Sequence, residues 1–444
     1  MLLHIGIAVV AWIHRPLMLL YLIAAFLYFS WIIISRKQDK LFHVLLAASY
    51  FTGAEVYIRM TKAYFFFETG KYAVIWFALL GMIYIGFKRN AIPYMAYLVL
   101  LLPGILISYE AIAYDVNFRK TILFNFSGPL CLTVAAVFLY GKTVTFSQML
   151  KILDYMIYPL IATTVYVVLY SPDIREAVTG TASNSAVSGG YGPNQVATVL
   201  GLGVFLLLTR LLIPYKNILV QWVMMFFMAL MAYRALLTFS RGGVLVSVII
   251  CLVFIIVYYF TSGIAVKVKT SMRVLGLVAA GLGIWTFTIL QTGGMIENRY
   301  TNKDALGREK EDITTGRADL FQTEMNTFME NPFLGVCVGG SKFYFETEMG
   351  TELPTHNEIS RMLSEHGMFG IFALLTLIFS PILSKLGGRK NIWFWPFLAF
   401  WGLTIAHSSM RIAAPAFIYA LCLLNIEFDK PNRKIEEPST NFSP

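Results

Sequence analysis

His356, set between Thr355 and the pair Asn357–Glu358, is the side chain best placed in this sequence to move a proton. The spacing of Thr355 and Glu358 predicts a capping box, in which each side chain satisfies a backbone N–H at a helix start. His356 then falls in the first helical turn, where the positive end of the helix dipole disfavours an imidazolium. A neutral imidazole can act as a base, and bare N–H groups beside it favour an anion. The same residues also fit a loop histidine beside an ordinary cap. The predicted helix continues through Glu365–His366–Gly367 into an apolar run, with Gly367 and Gly370 at the junction.

Arginines gather in the motifs that share this side of the chain. Thr238–Phe239–Ser240–Arg241–Gly242–Gly243 lies where one apolar run ends and the next begins. Arg241 can hold a guanidinium at phosphate depth, and the glycines let another group approach the backbone. Arg234, two helical turns earlier, lies in the apolar zone and needs a partner or a cavity. Both arginines equally fit snorkelling to lipid headgroups. Thr314–Thr315–Gly316–Arg317–Ala318–Asp319 opens a helical pattern that aims a cation and free N–H groups at an anion, or leaves Arg317 paired with Asp319 or a glutamate. In Gly189–Gly190–Tyr191–Gly192–Pro193–Asn194–Gln195, Asn194 and Gln195 can bind sugar hydroxyls, hold a neighbouring loop, or form a plain helix-start turn. Arg411, in His407–Ser408–Ser409–Met410–Arg411, fits an anion ligand or an interfacial anchor.

What must position these residues is a membrane domain. The 444 residues are 57% hydrophobic and 14% charged, with a mean hydropathy of +0.67. That is too apolar for a soluble globule and predicts an all-α polytopic membrane protein. Runs able to cross about 30 Å of hydrocarbon fall near 17–34, 41–60, 72–88, 91–109, 121–141, 152–170, 194–213, 217–237, 243–260, 273–290, 368–387, 391–406 and 410–426. Since neighbouring runs can merge or drop out, the expected count is roughly 12 to 14 transmembrane helices. Met1–Ile13 is short for a span and fits a half-helix or surface segment; it lacks the basic start and small-residue site of a cleavable signal.

The net charge of +10 is spread between the apolar runs, which fits loops lying on anionic membrane lipids and argues against nucleic acid. Lys/Arg-bearing short loops alternate onto one side, assigned to the cytoplasm. The opposite side receives 171–193, 291–367 and the turns at Ser240–Gly243 and His407–Arg411. In a bacterium these face the periplasm. The expected division is therefore 1–290 as N-terminal transmembrane helices, 291–367 as a large periplasmic loop, 368–428 as C-terminal transmembrane helices, and 429–444 as a disordered cytoplasmic tail. The loop, too small for an independent core, is expected to act as a lid, with Asn331–Pro332–Phe333–Leu334–Gly335 packed on the membrane domain.

No D-x-D metal clamp, H-E-x-x-H, G-x-x-x-x-G-K-[ST] or G-x-S-x-G occurs, and Cys131, Cys251, Cys337 and Cys422 show no C-x-x-C spacing. No metal or cofactor is called for. A base and several arginines on one side remain.

Together, Gly192–Gln195, Ser240–Gly243, Gly316–Arg317, Asn331–Gly335 and His356–Asn357 with Gly367 and Gly370 resemble the O-antigen ligase and Wzy polymerase superfamily of bacterial membrane glycosyltransferases. In such ligases a histidine followed by Asn, Ser or Gln precedes a G-x-x-G by a spacing that Asn357 and Gly367 reproduce. The resemblance is clearest over residues 185–372; before that it is one of hydropathy alone. It implies a GT-C-type helical fold in the bacterial inner membrane and an undecaprenyl-diphosphate-linked glycan as donor. It further implies metal-independent, inverting transfer to lipid A–core or to a growing glycan. His356 would be the base, Arg241 and Arg317 would contact the diphosphate, and Arg411 is carried over on a looser motif. Ligase is the first reading and a Wzy-type repeat-unit polymerase the second. A lipid-linked glycan flippase or transporter is the rival of another class; such proteins place sites at the midplane, and no acidic midplane relay stands out here.

Overall fold

The computed structural model describes residues 1–111, 118–171, 173–215, 217–314, 316–342, 344–345 and 355–428. The polar tail after Phe428 and Thr315 lie outside these. Apolar sequence folds here as helix after helix: α1 (Leu2–Ile13), α2 (Leu17–Ser35), α3 (Lys40–Met60), α4 (Thr69–Ile85), α5 (Ile92–Ala111) and α6 (Phe118–Leu139). After the short strand β1 (Thr143–Thr145) come α7 (Phe146–Tyr170), the single turn α8 (Ile174–Ala177), α9 (Pro193–Leu212), α10 (Ile218–Leu237), α11 (Arg241–Thr261) and α12 (Ile264–Gln291). Then follow α13 (Met295–Tyr300), α14 (Arg317–Glu330), α15 (Glu358–Leu386), α16 (Phe394–Ser408), α17 (Ala413–Leu421) and β2 (Asn425–Glu427). The protein is an all-α polytopic membrane protein.

Among the described residues ten helices are long and apolar enough to cross a membrane: α2, α3, α5, α6, α7, α9, α10, α11, α12 and α15. The predicted spans at 72–88, 391–406 and 410–426 form the shorter helices α4, α16 and α17, of 17, 15 and 9 residues. Burial sorts the bundle. In α3 and α9, 83% of the spanning window is buried, against 6% in α12, so the former are central and the latter turns its apolar side chains outward. All nine residues of α17 are buried, packed on α6 and α16. Helix α1, within the segment Met1–Ile13, docks on α7, and Tyr57 Oη of α3 donates to its Ile7 carbonyl at 3.0 Å.

The basic loops meet at one end. β1 and β2 pair in parallel there, Thr143 opposite Asn425. Lys142 Nζ donates to Ile85 O at 3.0 Å, Arg389 to Leu423 O at 2.9 Å and Arg273 to Leu212 O at 3.0 Å, so cations cover carbonyls that helix C-termini leave open. The opposite end carries the turns at 238–240 and 409–412 and helices α13 and α14.

The bundle also buries charge that hydropathy hides. Arg59 pairs with Glu55 at 2.5 Å and Glu68 at 3.1 Å, Lys71 with Glu68 at 2.6 Å, and Arg210 with Asp154 at 2.9 Å. The spans and their ends thus do contain acids, which the sequence did not make stand out; Glu55, Glu68 and Asp154 are neutralised in place, as buried charges require.

Candidate active site

The start of α11 is the frame of the site. Its N-cap, Ser240, does not cap its own helix; the hydroxyl instead donates to Asn194 Oδ1 at 2.8 Å and ties α11 to the start of α9. The first turn of α11 is therefore without a side-chain cap, and such N–H groups favour an anion. Arg241 reaches outward and donates to Ile313 O at 2.6 Å. A β-carbon on Gly242 would stand 2.5 Å from His407 Cδ2, so the absence of a side chain lets that ring lie on the helix start. His407 Nδ1 donates to Leu403 O at 2.9 Å, which leaves Nε2 as the other available nitrogen. Nε2 is buried and has no partner among the described residues.

Two outer helices bring further cations. Arg299 of α13 donates through Nε to Phe239 O at 3.1 Å. Asp312 accepts from Thr314 N at 2.6 Å and Gly316 N at 2.5 Å, a turn that delivers Arg317 as the first residue of α14. Burial, then the charge of Arg241, holds the Arg317 guanidinium below its ordinary value. Burial, Arg241 and Arg317 do the same to Arg299. From the turn between α16 and α17, Arg411 donates to Thr355 O, the residue before His356. Its guanidinium lies 5.7 Å from the Phe124 ring centre. Among the described residues none of Arg241, Arg299, Arg317 and Arg411 forms an ion pair with a carboxylate.

His356 is half-buried beside these groups. Burial first, then the charges of Arg411, Arg317 and His407, pushes its pKa down to about 4. That direction favours the expected neutral imidazole, whereas the expected capping box does not form. Asn357 is the N-cap of α15, its Oδ1 accepting from Ile359 N at 2.9 Å, and His356 precedes the helix. Glu358 does not reach back, because Arg361 takes it; Arg361 also pairs with Glu365 at 2.6 Å. A buried ion pair outweighs a single capping hydrogen bond here.

Gly367 and Gly370 explain how α15 carries the site. Gly367 (φ +57°, ψ −135°) breaks the helical backbone at a conformation few other residues adopt. The opening admits Asn331–Gly335: Met368 N donates to Pro332 O at 2.8 Å and Val336 N to Ser364 O at 2.9 Å. The segment expected to pack on the membrane domain does so, and it braces α15 at Ser364–Met368, well downstream of His356.

The structure therefore gathers Arg241, Arg317, Arg411 and His356 around one region. Asn194 and Asn357 support its frame. Gln195 folds back, with its Oε1 over Gly192. Arg234 is elsewhere: it donates to Ser171 O at 3.1 and 3.2 Å and to Val168 O at 3.5 Å, closing the C-terminus of α7. Its guanidinium is turned to these carbonyls. Two residues escaped assignment from sequence. Arg299 sits in a charge-rich stretch with no distinguishing pattern, whereas His407, in the same short motif as Arg411, carried a usable signal.

Residues 226–375 match the family model described as O-antigen ligase. No curated protein matches the chain. The matched segment holds Arg234, Arg241, Arg317, His356, Gly367 and Gly370; Asn194, Gln195, His407 and Arg411 lie outside it. The family resemblance read from the motifs is thus borne out over residues 226–375, with the Gly192–Gln195 motif outside the match, and the members of that family are membrane glycosyltransferase-like enzymes.

Proposed function

We propose that this protein transfers an undecaprenyl-diphosphate-linked glycan to a sugar hydroxyl of lipid A–core, at the periplasmic face of a bacterial inner membrane, without a metal and with inversion. One observation carries the reading: Arg411 and Arg317 act on a half-buried imidazole, Arg241 acts in turn on Arg317 and Arg299, and none of these arginines forms an ion pair among the described residues. Like charges brought together in a half-buried site are unfavourable unless an anion joins them. A diphosphate is such an anion, and guanidinium forks match its oxygens.

An apolar groove supports the placement of the prenyl tail. About 540 Å³ in volume, it lies between α11, α15 and α16 and is lined by Val253, Ile256, Ile359, Leu374, Trp401 and Ile405. Ile359 stands three residues after His356, and Trp395, also in its wall, lies at the start of α16 near the basic end. A lipid tail lying there keeps its diphosphate beside the arginines, in the manner of a GT-C enzyme.

In the step we infer, the acceptor oxygen attacks the anomeric carbon while its proton passes to His356. The bond from that carbon to the diphosphate breaks, and the electron pair leaves on the diphosphate oxygen, facing Arg241, Arg317 and Arg411. One in-line displacement inverts the carbon. Fixed donors aimed at developing charge are worth about 10²–10³ in rate each, and a positioned base about 10²–10⁴.

The test is the glycan profile of cells lacking the protein. Unmodified lipid A–core, with long glycan accumulating on the prenyl carrier, is expected; a single repeat unit on lipid A–core would move the assignment to a repeat-unit polymerase. Returning His356→Gln or Arg241→Ala at equal protein level should fail to restore transfer. Normal transfer by both variants would overturn the site.

A further inference from the structure

The basic end of the bundle carries a cavity that the transfer step does not use. It is about 380 Å³ and opens between the start of α5, the residue that follows α6 and the C-terminal turns of α15, with Tyr140, Ser380, Ser384 and Arg389 in its wall. The charge bias of the loops assigns this end to the cytoplasmic leaflet.

Two cations converge beside it. A β-carbon on Gly141 would stand 3.1 Å from Arg389 Nη2 and 3.3 Å from Lys88 Nζ, so the bare glycine, at φ +65°, lets both groups close on one point. Arg389 is fixed in place: Nη1 donates to Leu423 O at 2.9 Å, and the guanidinium lies 4.0 Å from the Tyr140 ring centre. Lys88 is exposed. Burial, then the charge of Lys88, holds the Lys142 ammonium below its ordinary value, so a third cation stands near. Among the described residues none of Lys88, Lys142 and Arg389 forms an ion pair with a carboxylate. Like charges gathered in this way favour an anion.

The surroundings say which anion. A guanidinium fork beside an ammonium suits phosphate oxygens. Ser384 Oγ is buried on the cavity wall with no partner among the described residues, and Ser380 lies one helical turn before it. Leu383, also in the wall, is exposed, as are Leu386 and Ile92, the sequence neighbours of the wall residues Gly387 and Pro93. Apolar side chains continuing from a phosphate-sized basic pocket between spans suit acyl chains, which a free phosphate lacks. We propose that this cavity binds the headgroup of an anionic phospholipid, its phosphate held by Lys88 and Arg389 and its chains lying on the α5–α15 face. The site is separate from the outer arginine cluster and does not depend on the reading given to that cluster.

The experiment titrates full-length protein in detergent micelles with phosphatidylglycerol, with phosphatidylcholine of the same chains, and with inorganic phosphate. Apparent affinity is read from the rise in melting temperature. Phosphatidylglycerol should raise it saturably, and the other two should not. Lys88→Gln should weaken the phosphatidylglycerol affinity about fivefold, the factor one cation near an anionic lipid surface contributes. Lys37→Gln, an exposed position on the α2–α3 loop, should leave it nearly unchanged. Lys88 is the residue to change because Arg389 also serves the fold through Leu423 O. Equal weakening by both substitutions, or by neither, would overturn the site. An equal response to phosphatidylcholine or to inorganic phosphate, or none to phosphatidylglycerol, would overturn the anionic-lipid assignment.

Discussion

The ring of His407 rests on the backbone of Gly242, closer than any side chain at that position could allow, since a β-carbon there would stand 2.5 Å from Cδ2 and 2.9 Å from Cγ. This contact joins the turn that carries Arg411 to the helix start that carries Arg241, two parts of the chain far apart in sequence. Gly242→Ala should therefore displace the ring and shift the arginines relative to one another. A misplacement of about 1 Å costs on the order of 10² in rate. Transfer assays on the variant should show that loss, with melting temperature little changed because the ring can move outward. Gly243→Ala is expected to behave differently. Its β-carbon would meet Ala197 Cβ at 2.5 Å and Thr198 N at 2.9 Å, so it wedges α11 from α9 and should destabilise by about 1–3 kcal/mol.

The crowding of cations predicts a trade of stability against activity at Arg317. Its charge is opposed by Arg241, and no side-chain hydrogen bond or ion pair among the described residues compensates it. Arg317→Ala should melt at or above the wild-type temperature in the absence of donor, while transfer falls about 10²–10³. A melt several degrees lower would mean that Arg317 serves the fold and not an anion.

The position of His356 sets the acid limb of the pH profile. With its pKa near 4, the imidazole of the free enzyme stays neutral through the physiological range, so kcat/KM should not fall off until pH approaches about 4. Once a diphosphate offsets Arg411 and Arg317, protonation becomes easier, and the limb in kcat should lie at higher pH than that in kcat/KM. The sign for stability follows by linkage. A histidine whose folded pKa lies below its unfolded value contributes fully above about 6.5 and loses that contribution as pH falls toward 4. Thermal melts between pH 7 and 4 should show a shallower decline in His356→Gln than in wild type.

Behind Arg411 the buried charges of α3 and α4 hold its turn. Lys71 Nζ donates to Ser127 Oγ at 2.8 Å and Met410 O at 3.3 Å while pairing with Glu68, and Glu55 accepts from Ala413 N. Lys71→Met leaves Glu68 with Arg59 alone and frees the Met410 carbonyl. Breaking a buried pair in this way costs about 3–5 kcal/mol. Adding Glu68→Gln should recover part of the loss in melting temperature, and a double-mutant cycle measures the coupling.

Much of this protein was legible before any coordinates. Helical spans follow from unbroken apolar runs because a membrane forces every backbone group to pair within its own segment, so hydropathy and helix formation are one local property. The alternation of Lys/Arg loops likewise placed His356, Arg241, Arg317 and Arg411 on one side, since chain direction reverses at each crossing. What local pattern could not decide is which partner a polar side chain takes. Thr145–Gln148 and Thr355–Glu358 share one spacing; the first is a true capping box, with Gln148 N donating to Thr145 Oγ1 at 3.2 Å and Thr145 N to Gln148 Oε1 at 3.0 Å. The second is lost to Arg361. Arg234 and Arg411 look alike in sequence, yet one closes α7 and the other faces His356. Those outcomes depend on groups brought together from distant helices, and only packing, which fixes who stands within about 3 Å of whom, could choose among them.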